Sequence, residues 1–83
     1  MRYRLKEYDA EAVAFDTASG DTHYLAPLAL TLYRLYRDRP GLSRDEARTL
    51  AARYHDVEWD PSLDAQVDET LEGLCRIGLL QPE

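Results

Sequence analysis

The sequence predicts an α+β fold, with a three-stranded antiparallel sheet at the N-terminus followed by a helix-turn-helix-like bundle of three helices. Three observations carry that prediction. Up to Leu25, apolar and polar side chains alternate in short runs broken by turn residues. From Pro27 onward, apolar residues recur at three- and four-residue spacing. Helix-start signals divide this second part: Pro27, Ser43 with Glu46, and Asp60 with Pro61.

The first strand is read at Arg2 to Tyr8, with Tyr3 and Leu5 inward and Arg2, Arg4 and Lys6 in water. Asp9-Ala10-Glu11 turns the chain. Ala12-Val13-Ala14-Phe15 forms a second, more buried strand. Thr17 to Asp21 is a loop in which Gly20 can take positive φ. Thr22 to Leu25 is the third strand. A first helix spans Pro27 to Asp38, with Leu28, Ala29, Leu32, Leu35 and Tyr36 on its apolar stripe. Arg39-Pro40-Gly41 stops it. Ser43 caps a second helix whose inner face is Ala47, Leu50, Ala51 and Tyr54. Asp60 and Pro61 open a third, with Leu63, Val67, Leu71, Leu74 and Ile77 inward. Gly78 suits its C-terminal cap, and Leu79-Leu80 fold back on the core. Trp59 is expected to pack where the third helix begins.

Eighty-three residues make a single domain, 1–83, with one thin core and little room for an enclosed active site. Ten Lys and Arg against 16 Asp and Glu give a net charge of −6, which opposes nucleic acid as a partner. The acids concentrate between Asp56 and Glu72, a stretch without Lys or Arg, and read as a solvated face. A winged regulator would also need basic side chains on its recognition helix, and the third helix carries acids instead. No apolar run is long enough to span a bilayer, so no membrane partner is expected. A single cysteine, Cys75, forbids an internal disulfide. With no signal-peptide pattern, the expected compartment is a reducing cytoplasm.

Candidate chemistry is sparse. His23 and His55 lie far apart in sequence, and no CxxC or HxxxH pairing supports a metal. No nucleophile has a plausible base beside it, so no catalytic residue and no cofactor is assigned and the chain is read as a non-enzyme. Gly20-Asp21-Thr22 lacks the glycines and lysine of a phosphate loop. Cys75 is read as a buried, inert thiol. The six tyrosines either cover the core or serve as contact residues.

The ordered stretches "VAFDTASGDTHYLAPLALTLYRLY", "LSRDEARTLAARY" and "LDAQVDETLEGLCRIGLL" resemble the PqqD-like family. The resemblance is greatest to the HPr-rel-A system PqqD family peptide chaperones. Its marks are Ser19-Gly20-Asp21-Thr22-His23-Tyr24-Leu25, the Leu42-Ser43 cap with Glu46, and the leucine-rich end with Gly78. The resemblance implies a winged-helix-like recognition element for ribosomally made, modified peptides. Such a domain would hold a precursor or leader peptide as an added strand and present it to a modifying enzyme, here one related to HPr kinase. By position, the receiving strand is Asp21, Thr22, His23, Tyr24 and Leu25, and the groove is lined by Val67, Leu71 and Leu74. The acids Asp64, Asp68 and Glu72 then favour a basic peptide. Whether His23 faces the groove or turns away is open. The alternative is an adaptor that docks the kinase-related enzyme and holds no extended peptide. The same free edge also admits a homodimer.

Overall fold

The computed structural model describes residues 2–58 and 60–80; the expected packing role of Trp59 lies outside them. Three strands, β1 (Tyr3–Tyr8), β2 (Glu11–Asp16) and β3 (Thr22–Leu25), precede three helices, α1 (Pro27–Asp38), α2 (Arg44–Tyr54) and α3 (Pro61–Arg76). The strands form one antiparallel sheet in the order β1-β2-β3. This is the α+β arrangement that the sequence predicts.

Tyr8 pairs with Glu11, so Asp9 and Ala10 alone turn the first hairpin. Asp9 takes φ 51, a left-handed conformation that Asp tolerates better than most residues. Pleating then sorts the side chains. Ala12, Ala14 and Leu25 are buried against the helices, with Tyr3 and Leu5 partly buried beside them. The second strand is the more buried of the first two, as expected, but on one face only: Phe15 points outward and is 42% exposed. Strand periodicity requires this, because Ala12, Ala14 and Asp16 take the inner face and Val13 and Phe15 the other.

The helix signals work as the sequence suggests. Pro27 opens α1 without a side-chain cap. The Ser43 hydroxyl accepts from the Glu46 N–H at 3.2 Å and donates to the Glu46 carboxylate. Asp60 accepts from the Leu63 N–H at 3.0 Å. At the end of α3, the Leu79 N–H reaches the Leu74 carbonyl and the Gly78 N–H reaches that of Cys75. This is a Schellman closure, with Gly78 at φ 86. The core comprises Leu30, Leu32, Leu42, Ala47, Ala51, Val67, Leu71 and Leu74 with the sheet's inner alanines. Tyr54 does not join it: α2 buries Ala47, Ala51 and Ala52, and Tyr54, the last residue of the helix, is 69% exposed.

Asp16 sets the connection into β3. It is only 2% exposed, and all its bonds are local or to Arg2. One carboxylate oxygen accepts from the Arg2 Nε and Nη2 at 3.2 and 3.0 Å. The other accepts from the N–H groups of Ala18 and Ser19 at 2.8 and 3.3 Å. Its own N–H donates to the Asp21 carbonyl, and its carbonyl accepts from the Gly20 N–H, both at 2.8 Å. Residues 17–20 thus form a four-residue hairpin loop, completed by Gly20 at φ 81. The Arg2 guanidinium holds the Asp16 carboxyl well below the usual carboxylate range; burial opposes this, and the loop N–H groups support it.

Two outcomes follow. Leu32→Ala empties a fully buried site and is expected to cost about 2–5 kcal/mol, read as a lower urea midpoint at unchanged slope. The lowered folded-state pKa of Asp16 means its stabilisation is present above the unfolded carboxylate value of about 3.9 and is lost as pH falls toward the folded value. Asp16→Asn is therefore expected to lower the melting temperature by several degrees at neutral pH. The gap between variant and parent should narrow on acidification; a constant gap contradicts the assignment.

Candidate functional site

β3 is an edge strand, and the hydrogen-bond phase of the hairpin says which of its groups are free. The Asp16 N–H bonds the Asp21 carbonyl, so this pair belongs to the hydrogen-bonded class. Pairs alternate along an antiparallel ladder. The register then puts Ala14 with His23 and Ala12 with Leu25 in the bonded class, and Phe15 with Thr22 and Val13 with Tyr24 in the other. The N–H and C=O groups of Thr22 and Tyr24 therefore point away from β2, toward the open edge. Among the described residues, no strand pairs with them.

α3 runs beside that edge at a distance. The Tyr3 hydroxyl donates to the Ile77 carbonyl, which ties the C-terminal end of α3 to the end of the sheet where β3 starts. At the other end, Leu63 and Gln66 of α3 share a cleft of about 380 Å³ with Pro27 and Leu28, just beyond the end of β3. β3 and α3 are thus antiparallel. No Cα of β3 comes within 8 Å of one in α3, so the two elements do not pack directly. Leu63, Thr70 and Ile77, all partly exposed, recur every seventh residue and form a single stripe on α3. Leu63 meets Pro27 and Leu28 in the smaller cleft, and the Ile77 backbone carbonyl meets Tyr3 of β1.

The expected site residues distribute unevenly over β3 and α3. Asp21 and Thr22 are exposed at the start of the edge. His23 is half-buried on the inner face with Leu25, and its ring lies 6.3 Å from that of Tyr3. Its side chain thus faces the helices. Tyr24 turns the other way, is 63% exposed, and donates to Glu11 at 2.7 Å. That hydrogen bond, with burial second, raises the Tyr24 pKa. Val67 and Leu74 are buried, at 0% and 3%, beneath the α3 stripe. Leu71 is 5% exposed and belongs to the opposite flank of α3, where it lines a cleft with Tyr36 and Arg44.

The acids of α3 also lie on that far flank. Asp64 pairs with Arg48 at 3.1 Å and Asp68 with Arg44 at 2.9 Å. Asp64 is also the first cause of the raised Arg48 pKa. Two of the three acids expected to draw a basic peptide are thus engaged by α2, and Glu72 lines the far cleft. The solvated acidic face of the sequence reading is an inter-helix ion-pair seam over part of its length. Cys75 is half-buried rather than enclosed, because α3 turns it to the rim of that cleft. The outer face of the sheet exposes Tyr8, Phe15 and Tyr24. Among the described residues, no group of three His, Cys, Asp or Glu side chains is placed to hold a metal, and no helix is long and apolar enough to cross a membrane.

Sequence reasoning placed Leu63 and Ile77 on the inner face of α3 without assigning them to the site, and did not single out Asp16 or Thr70. The seven-residue stripe was readable, but nothing in its spacing says which side of α3 the sheet occupies.

No family model matches the chain, and no curated protein matches it. Among solved structures it is similar to TbiB1 in complex with the TbiA(beta) leader peptide. The TM-score is 0.73 at 18% identity, over 99% of this chain and 92% of that one. At that identity the likeness establishes a shared fold: three strands followed by three helices, along nearly the whole of both chains.

Proposed function

We propose that this chain is a non-catalytic recognition domain that takes an extended precursor or leader peptide onto the free edge of β3 and presents it to a modifying enzyme. The observation that carries this reading is the unpaired edge of Thr22 and Tyr24, against which α3 does not pack; the gap between the two elements is read as a trough for the peptide's side chains. The similar fold of TbiB1, whose structure holds a leader peptide, supports it.

Strand addition satisfies edge groups that water otherwise solvates. Each main-chain bond contributes about 1 kcal/mol net, so a strand this short cannot supply micromolar affinity, about 8 kcal/mol, through the backbone alone. Apolar side chains of the peptide must supply the remainder, at about 1.5–3 kcal/mol each. They would enter the trough between His23 and Leu25 on one side and Leu63, Thr70 and Ile77 on the other. Val67 and Leu74 form the floor in this reading, and Leu71 supports α3 from behind. Asp21 sets where the added strand begins. With Asp64 and Asp68 engaged elsewhere, the trough selects apolar anchors rather than a basic peptide. The enzyme served is expected to be related to HPr kinase, by the family resemblance.

The exposed Tyr8, Phe15 and Tyr24 on the outer sheet face favour one second reading, an adaptor that docks the enzyme through a flat surface. Titration of the labelled chain with overlapping peptides from short reading frames beside the gene separates the two. Strand addition predicts shifts at Thr22 to Leu25 together with Leu63, Thr70 and Ile77. It also predicts that Tyr24→Pro weakens binding at least about tenfold while preserving the sheet, because it removes an N–H that points outward rather than into the ladder. Equal binding by Tyr24→Pro contradicts strand addition, and shifts confined to Tyr8, Phe15 and their outer-face neighbours support the adaptor instead.

A further inference from the structure

The far flank of α3 carries a cleft of about 800 Å³ that the β3 site does not use. Its floor is apolar, formed by Tyr36, Leu71, Leu79 and Leu80. Its rim is basic, although the protein as a whole carries −6. Arg37 comes from the end of α1, Arg44 from the start of α2 and Arg76 from the end of α3. Among the described residues, Glu72 is the one acid in the lining.

The arginines are available to a partner. Arg76 has no carboxylate within ion-pair distance among the described residues and is exposed. Arg37 pairs with its neighbour Asp38 and lies over the Tyr33 ring, and Arg44 pairs with Asp68. Both ion pairs are solvent-exposed, the kind that contributes about 0–1 kcal/mol and exchanges readily for another carboxylate. The three cations come from three elements around the apolar floor. That layout fits several carboxylates spread along a segment better than one head group.

We propose that this cleft docks an acidic, leucine-bearing segment of a partner protein. The proposal stands whether or not β3 takes a peptide. α3 separates the two sites, one on each flank, so both can be filled at once. A domain that presents one chain to another needs such a second surface.

The test uses the full labelled chain and two synthetic helical peptides with leucines at core spacing, one bearing Glu at the remaining positions and the other Lys. The Glu peptide is expected to shift the amides of Tyr36, Arg76, Leu79 and Leu80, leaving Thr22 to Leu25 unmoved. It should also slow alkylation of Cys75, the single cysteine, which lines the cleft. Arg76→Glu, at an exposed position that should not disturb folding, is expected to weaken binding at least about fivefold. Equal binding of the Lys peptide, no shift at these amides, or shifts only along β3 overturns the proposal. So does dodecanoate binding there in place of the Glu peptide, which assigns the cleft to a small amphiphile. Concentration-dependent shifts at the same amides without any peptide assign it to a second copy of the chain and also overturn it.

Discussion

Asp16 is the residue on which the candidate site depends. Its carboxylate is withdrawn from water, and such a group is tolerated only when its acceptor capacity is filled. Arg2 fills one oxygen and two loop N–H groups fill the other. The backbone of Asp16 closes the same loop from both sides. These bonds fix the first pair of the β2–β3 ladder. That pair decides which amides of β3 face inward and which are left at the edge. The chemistry offered to a partner is therefore set several residues before the strand begins.

The second constraint is the distance of α3. Tyr3 anchors its end through the Ile77 carbonyl, and the half-buried Arg48–Asp64 pair ties its far flank to α2. Val67 and Leu74 pack it onto the core. Held from one side and one end, the helix does not close onto β3. A trough of this kind next to an unpaired edge is a receptive surface for an extended chain, because the backbone can pair while alternate side chains turn inward. The opposite flank keeps its own cleft, which gives a small domain two faces without a second core.

Much of this was legible in the sequence. Pro27, Ser43, Asp60 and Gly78 have local physical roles at helix ends, and each sits where its chemistry demands. The strands could be read from alternation, and Gly20 from the loop around it. Other features depend on what lies across the fold. Asp16 was not singled out, because its partner Arg2 is fourteen positions away. The acids of α3 looked free because Arg44 and Arg48 precede them on another helix. Tyr54 fitted the helical stripe but fell beyond the reach of the core. Helical period gave the inner face of α3; it could not say that Leu71 lines the cleft with Tyr36 and Arg44 while Leu63 lines the one with Pro27 and Leu28.

Amide hydrogen exchange along β3 tests the central claim most directly, measured on the free chain and with a bound peptide from a neighbouring reading frame. The ladder phase predicts slow exchange at His23 and Leu25 in both states, and fast exchange at Thr22 and Tyr24 that becomes slow only with peptide. Thr22 and Tyr24 amides that stay fast in the complex would contradict strand addition at this edge.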